Sequence, residues 1–242
     1  MCQQLLDNVF HCPICGSTIS PLKSVGSPYQ ILTDLQVIGA GARPQKCHGC
    51  NSSDRDRLVY LYLRDIEKIF TKDHPHVSVL HVAPENCIAE KFMANCNIRY
   101  TAIGSFEHGY DYPEYIEKMD LLDLKYEDNS IDIILCNHVL QDIADDISAF
   151  KEIYRVLKLG GKAILQVPIS PVIDSIMEHK GYLSEEECTA RYGQRFHKRI
   201  YNEKGYVARL KSVGFNVDVL KISEQYPFES VNPKEVLFIA NK

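Results

Sequence analysis

Residues 128–143 read Asp-Asn-Ser-Ile-Asp-Ile-Ile-Leu-Cys-Asn-His-Val-Leu-Gln-Asp-Ile, and residues 149–165 read Ala-Phe-Lys-Glu-Ile-Tyr-Arg-Val-Leu-Lys-Leu-Gly-Gly-Lys-Ala-Ile-Leu. Within the first, residues 131–136 are apolar and β-branched with little alternation, the mark of a strand buried on both faces. Next, Ile147, Phe150, Ile153, Tyr154 and Leu157 recur at helical spacing, and Gly160 and Gly161 supply the stop. A buried strand followed by an amphipathic helix is the repeating unit of an α/β sheet.

Outward from that unit the alternation continues. Residues 77–83 and 98–103 read as strands and 86–95 as the helix between them. Residues 163–167 form a further strand closed by Pro168, and residues 170–200 are irregular and polar. A helix over 203–213 ends at Gly214, and 215–222 and 235–240 are two last strands, expected as an antiparallel hairpin on the sheet edge. Before the sheet, Leu58, Tyr62, Ile66, Ile69 and Phe70 predict a helix over 57–70. The fold expected is α/β, with a mostly parallel sheet and right-handed crossovers.

The 242 residues suit one large domain with a small appendage. With 27 basic and 32 acidic residues the net charge is −5, which weighs against nucleic acid held mainly by charge. Hydrophobic content of 45% is globular, and no apolar run approaches the eighteen or so residues that span a bilayer. The start lacks a basic segment followed by an apolar one, so a cytoplasmic location without membrane attachment is expected.

Four of the nine cysteines form two pairs, Cys12-Pro-Ile-Cys15-Gly and Cys47-His-Gly-Cys50-Asn. Each pair offers two thiolates from one tight turn, so Cys12, Cys15, Cys47 and Cys50 together predict a closed, structural Zn2+ site. Gly16 and Gly49 let the backbone bend toward the sulfurs, and His11 and His48 are bystanders. The long gap between the pairs must hold a hairpin or loop of its own. Cys96 and Cys136 read as small core residues.

Ligands of open α/β sheets bind beyond the carboxyl ends of the strands. Here those ends carry Glu85, Asn86, Ser105, Glu107, Asp120, Asn137, His138, Gln141 and Asp142. Plainer roles stand beside the functional ones: Asn86 as a helix cap, Asp120 as a turn residue, and the acids of 142–146 as partners of a helix dipole.

The two opening stretches resemble the class I S-adenosylmethionine-dependent methyltransferases, whose pattern is D-N-S-F-D-x-I-x-x-x-H-V-L-E-H-I, then E-x-x-R-V-L-K-P-G-G. The match spans roughly residues 77–168. The cysteine pairs, Ser52-Ser-Asp-Arg-Asp-Arg, and Val79-Leu-His-Val-Ala-Pro-Glu resemble a subgroup with an N-terminal zinc ribbon. Tyr192-Gly-Gln and His197-x-Arg199-x-Tyr201 resemble that subgroup's F-G-Q-x-D-H-x-R-x-Y stretch. The resemblance implies a Rossmann-like methyltransferase fold with a small zinc-ribbon subdomain: ribbon 1–56, connecting helix 57–74, and methyltransferase domain 75–242 with 170–201 as substrate lid.

It implies S-adenosylmethionine as cofactor. His81, Ala83 and Glu85 would lie along its methionine end, and Asp120, with the Leu121 backbone, at the adenine amine. Cys136 and Asn137 would line the methyl-transfer side, with His138 beside them. The chain departs from the family pattern at four places, one of them Leu140-Gln141-Asp142, where the pattern has L-E-H. The glycine-rich loop is absent, with Ala83 its only small residue. The ribose-gripping acid aligns with Gly104, so Ser105 or Glu107 must substitute. The acid expected before His197 is Phe196.

Methyl transfer rests mainly on positioning, with a base needed only for an acceptor of high pKa. His197, His138, Asp142 and Tyr201 are the candidates. Arg191, Arg195, Lys198 and Arg199 predict a local positive patch suited to an anionic small molecule or carrier-linked sugar. Two rivals stand beside a small-molecule methyltransferase. One is a weakly active or inactive scaffold that binds RNA or protein through the ribbon, and the other is an RNA methyltransferase.

Overall fold

The computed structural model describes residues 10–19, 21–106 and 111–242. Cys2 and Glu107 lie outside the described residues.

Seven strands form the main sheet: β5 (Val77–Val82), β6 (Ile98–Gly104), β7 (Ile116–Lys118), β8 (Ile131–Cys136), β9 (Leu157–Ile164), β12 (Asn216–Leu220) and β13 (Leu237–Asn241). Their order is β12-β13-β9-β8-β5-β6-β7. All neighbours are parallel except at β13, which runs against both β9 and β12. The edge hairpin is thus present, with β12 outermost. From β5 the chain first builds outward through β6 and β7, then crosses to β8 on the other side. The strand order therefore reverses between β5 and β8, where a crevice opens at the carboxyl ends.

Helices α3 (Asn86–Met93), α4 (Asp146–Val156) and α6 (Glu203–Ser212) cross between strands and cover the faces. In α4, Phe150 and Ile153 are fully buried against Ile131, Ile134 and Leu165, which confirms the stripe read from the sequence.

Three local expectations are corrected. Gly160 and Gly161 do not cap α4. The chain turns extended at Leu157 and runs straight into β9, with Gly160 at φ +77 inside the strand. Residues 170–200 are not wholly irregular, because α5 (Glu185–Tyr192) forms there, and β10 (Met177–Glu178) pairs with β11 (Arg199–Ile200). Ser184 and Glu187 make the capping box that starts α5. Cys96 is exposed, whereas Cys136 is buried as expected.

The N-terminal part holds two short antiparallel pairs: β1 (Phe10–His11) with β2 (Thr18–Ile19), and β3 (Lys23–Val25) with β4 (Arg43–Lys46). Between the latter two lies α1 (Gln30–Asp34). Helix α2 (Asp54–Leu61) begins three residues before the expected start, because Ser53 and Asp56 form a second capping box. It runs on as a π-helical turn, Tyr62–Ile66. Cys12, Ile14 and Cys47 pack in one apolar cluster with Leu58, Leu61, Ile88 and Leu237, so the ribbon shares the sheet's core.

Arg57 of α2, 1% exposed, lies at that junction. Its guanidinium donates to the carbonyls of Gln45 (3.1 Å) and Ser52 (2.9 Å) on the ribbon side, and of Glu229 (2.9 Å) and Ser230 (2.5 Å) on the sheet side. A buried cation is tolerated only when its donors are matched, as here. Arg57→Met strands four carbonyls. The expected loss is about 3 kcal/mol or more, a fall in melting temperature of roughly 6–12 °C, measurable by thermal denaturation.

Candidate active site and metal centre

At the crevice, β5 ends in a turn where Ala83 takes φ +49, a left-handed conformation that favours glycine. The turn aims Glu85 back toward the strand ends. His81, fully buried, places Nε2 2.8 Å from Glu85 Oε2 and Nδ1 3.2 Å from the Tyr100 hydroxyl. Burial pushes the Glu85 pKa up, but the His81 hydrogen bond and charge outweigh it, and the net shift is downward. Asn137, at the end of β8, lies with Nδ2 3.5 Å from the same carboxylate. His81, Glu85 and Asn137 are thus brought together.

Other predicted residues separate. Asp120 is exposed, and its Oδ1 accepts the Leu122 backbone N–H at 2.9 Å, so it is a turn residue with Oδ2 left over. Leu121 and Cys136 turn their side chains into the core. Ser105 is exposed beyond β6. A Cβ at Gly104 would stand 3.3 Å from Tyr112, which explains why no acidic side chain occupies that position. Asn86 does not cap α3 and instead accepts from the Tyr115 hydroxyl at 2.8 Å.

Beside Asn137 a cavity of about 220 Å³ is lined by three parts of the chain. The sheet edge gives His138, Gln141 and Asp142, the segment after α5 gives Gln194 and His197, and the N-terminal part gives Gly39, Arg43 and Arg55. Sequence reading missed the third part. The arm between the cysteine pairs reaches across and pairs Ile38 with Ile169 beyond β9. There the Ser170 hydroxyl also donates to the Leu35 carbonyl at 2.7 Å. Leu32 and Val37 of the arm pack on Cys188, Tyr192 and Ile200.

The cavity gathers buried polar atoms without hydrogen-bond partners: Arg55 Nε, His138 Nε2, Gln141 Oε1 and Asp142 Oδ1, with Asn137 Oδ1 and Glu235 Oε2 at its margin. Such atoms are scarce in native proteins. Their concentration in one place makes this cavity the candidate site for a polar ligand. His197 Nε2 lies 3.7 Å from Asp142 Oδ1. Burial pushes the Asp142 pKa up to about 7 and that of His197 down to about 4, with the Tyr192 backbone opposing the latter. Burial lowers His138 as well, and raises Glu235 to about 8.

Two residues of the expected set serve elsewhere. Tyr201 is fully buried and its hydroxyl donates to Asp146 at 2.6 Å, so it is no base at this cavity. Arg199 is no part of a positive patch. At 4% exposure its guanidinium holds the carbonyls of Leu140, Ile143 and Ala144 and the Glu178 carboxylate. Both brace the loop that carries Gln141 and Asp142.

The four paired cysteines do meet: their sulfurs all lie within 4.8 Å of one another. Cys12 Sγ and Cys50 Sγ are 3.6 Å apart, and Cys15 Sγ and Cys47 Sγ 3.7 Å. A tetrahedron with Zn–S bonds near 2.3 Å has edges of about 3.8 Å, so the donor set fits zinc. The knuckles are alike in backbone, with Gly16 (φ +75) and Asn51 (φ +60) at matching places, each donating its N–H to the first cysteine's carbonyl. At Gly49 the backbone amide faces a sulfur, as expected of that position. Its N–H points to Cys47 Sγ at 3.3 Å, and a Cβ there would meet Ser17 Oγ at 2.5 Å.

Residues 86–165 match the family described as methyltransferase domain. Among solved structures, a SAM-dependent methyltransferase from Archaeoglobus fulgidus aligns over 80% of this chain and 96% of its own, with TM-score 0.54 and 15% identity. One from Aquifex aeolicus covers 74% of this chain and 90% of its own, at TM-score 0.43 and 17% identity. Among curated proteins none matches. The fold is thus that of the class I methyltransferases, residues 86–165 match their domain family, and a four-cysteine cluster lies N-terminal to it. No helix among the described residues is long and apolar enough to cross a membrane.

The sulfur geometry predicts one zinc per chain by atomic absorption. Cys12→Ser and Cys47→Ser should each lose most of it, with a lowered melting temperature that added zinc no longer restores.

Proposed function

We propose that the protein transfers a methyl group from S-adenosylmethionine to a small-molecule acceptor seated in the cavity under the arm. The observation that carries this reading is the position of that cavity: it is lined by His138, one residue beyond Asn137 at the β5–β8 reversal, and Asn137 Nδ2 stands 3.5 Å from the Glu85 carboxylate that His81 holds.

The residues at this edge suit the cofactor. The Glu85 carboxylate, oriented by His81, would receive the ammonium of its methionine end, and Asn137 Oδ1 is a buried acceptor without a partner beside it. The left-handed turn at Ala83 admits the ligand close to the backbone. At the ribose end Ser105 and the backbone after Gly104 replace the missing carboxylate. Asp120 Oδ2, with the Leu121 backbone, would meet the adenine amine. The bound cofactor supplies an electrophilic methyl on a sulfonium.

The rest is the work of the chain's own groups. The arm and the 193–197 segment close over the acceptor and keep water out, which is where most of the rate advantage of a displacement arises. Asp142, poised near neutrality, takes the proton of an acceptor hydroxyl, and uncharged His197 beside it relays or orients that proton. His138 completes the wall. Zinc held by Cys12, Cys15, Cys47 and Cys50 would have no open coordination position, so its part would be to fix both roots of the arm.

Calorimetry with S-adenosylmethionine tests the cofactor site. Binding well below millimolar is expected, weakened about tenfold or more in Glu85→Gln, since hydrogen bonds to a charged group contribute roughly 1.5–3 kcal/mol. No heat at millimolar cofactor would overturn the reading and leave the scaffold. A second expectation concerns protons. Methyl transfer should rise with pH through about 7 as Asp142 ionises, and Asp142→Asn should abolish that rise.

A further inference from the structure

We infer that the acceptor is an uncharged, polyhydroxylated ring of single-sugar size, selected by Arg55 and Gln141 under the arm. The inference rests on the methyltransferase reading for what is done to that ring, not for its binding.

The argument starts from the inventory of unpaired atoms. Gln141 Oε1 can only accept, and Arg55 Nε can only donate. Gln141 is 2% exposed, so its oxygen is withheld from bulk water. Asp142 Oδ1, Glu235 Oε2 and His138 Nε2 can do either, according to protonation. A ligand that satisfies such a mixture must carry several groups that both donate and accept. Hydroxyl groups do this. Carboxylates and phosphates only accept, and ammonium groups only donate.

Charge points the same way. An anion needs uncommitted cations, yet Arg43 is held by Asp54 at 2.6 and 2.7 Å, and Arg199 is enclosed by the 140–144 carbonyls and Glu178. Arg55 gives Nη1 to the Gly39 carbonyl at 3.0 Å, and its charge is offset by Asp56, whose Oδ1 stands 3.7 Å from Nε, too far for a hydrogen bond. What remains is neutral and polar.

Size and shape agree. About 220 Å³ admits one ring and excludes a nucleic-acid strand or a folded partner. Leu32, Ala40 and Pro168 supply apolar wall for the carbon face of such a ring. Gly39 is required at its place. A Cβ there would stand 3.1 Å from both Glu235 Oε1 and His138 Cε1. Ser27 and Gln194 also line a wider surface groove along α5, so one substituent of the ring can project outward.

Saturation-transfer NMR on the full-length, zinc-loaded chain with S-adenosylhomocysteine present tests this. The probes are D-glucose, D-mannose, L-fucose and myo-inositol at millimolar concentration, against glutarate and n-butylamine as the anion and the cation. At least one polyol is expected to receive saturation. Its affinity should fall at least tenfold in both Gln141→Leu and Arg55→Met, while cofactor affinity, which reports that the variants fold, stays within twofold. Saturation of glutarate or butylamine alone overturns the inference, as does polyol binding unchanged in both variants. If the cofactor binds and no polyol does, the inference fails and the methyltransferase reading stands. If a polyol binds and the cofactor does not, the reverse holds.

Discussion

One buried guanidinium spans the junction between the ribbon and the sheet. Arg57 extends from the first helix after the ribbon and ties carbonyls on either side of the junction, at 1% exposure. A lysine has too few directed donors to make these contacts, and an apolar residue would leave the carbonyls unsatisfied. Because that contact and the shared apolar cluster seat the ribbon on the sheet, the arm between the knuckles is delivered to one place, over the carboxyl ends of β8 and β9. The cavity exists only because those two surfaces meet.

The resulting site divides its labour. The β5 side holds groups already paired with one another, His81 with Glu85 and Tyr100, and therefore arranged before any ligand arrives. The arm side holds groups whose hydrogen-bonding capacity is unmet. Preorganised pairs suit a cofactor common to a fold, whereas unmet groups suit the variable partner. The tyrosine and arginine expected to do chemistry hold the loop between these sides in place, through Asp146 and the 140–144 carbonyls.

Much of the sheet was legible in the sequence because its strands are apolar on both faces and its helices carry clean stripes. What escaped did so for identifiable reasons. Strand β7 has three residues, too few for periodicity. Half of helix α5 is charged, so a search for apolar stripes passes over it, although Ser184 and Glu187 announce its start. The two glycines after α4 signal a helix stop in the general case. Here the chain had already turned extended at Leu157. The cysteine cluster was readable from spacing alone. The cavity was not, since Gly39, Arg55, Gln141 and His197 are far apart in sequence and nothing in their local pattern announces that the arm crosses the sheet. Arg199 and Tyr201 show the converse: residues of chemical type, in a suggestive motif, that work as struts.

The arm leaves from one knuckle and returns to the other, so it is a loop whose two ends meet at the same cluster of four sulfurs. Its ordering entropy is largely met at those roots, and loop-closure cost rises only slowly with added length. Insertions or replacements between β3 and β4 therefore alter the roof of the cavity while the sheet edge beneath keeps its geometry. Descendants of this chain can exchange one acceptor for another by mutating a stretch that contributes nothing to the parallel strands. Acceptor choice and cofactor grip are free to drift at separate rates.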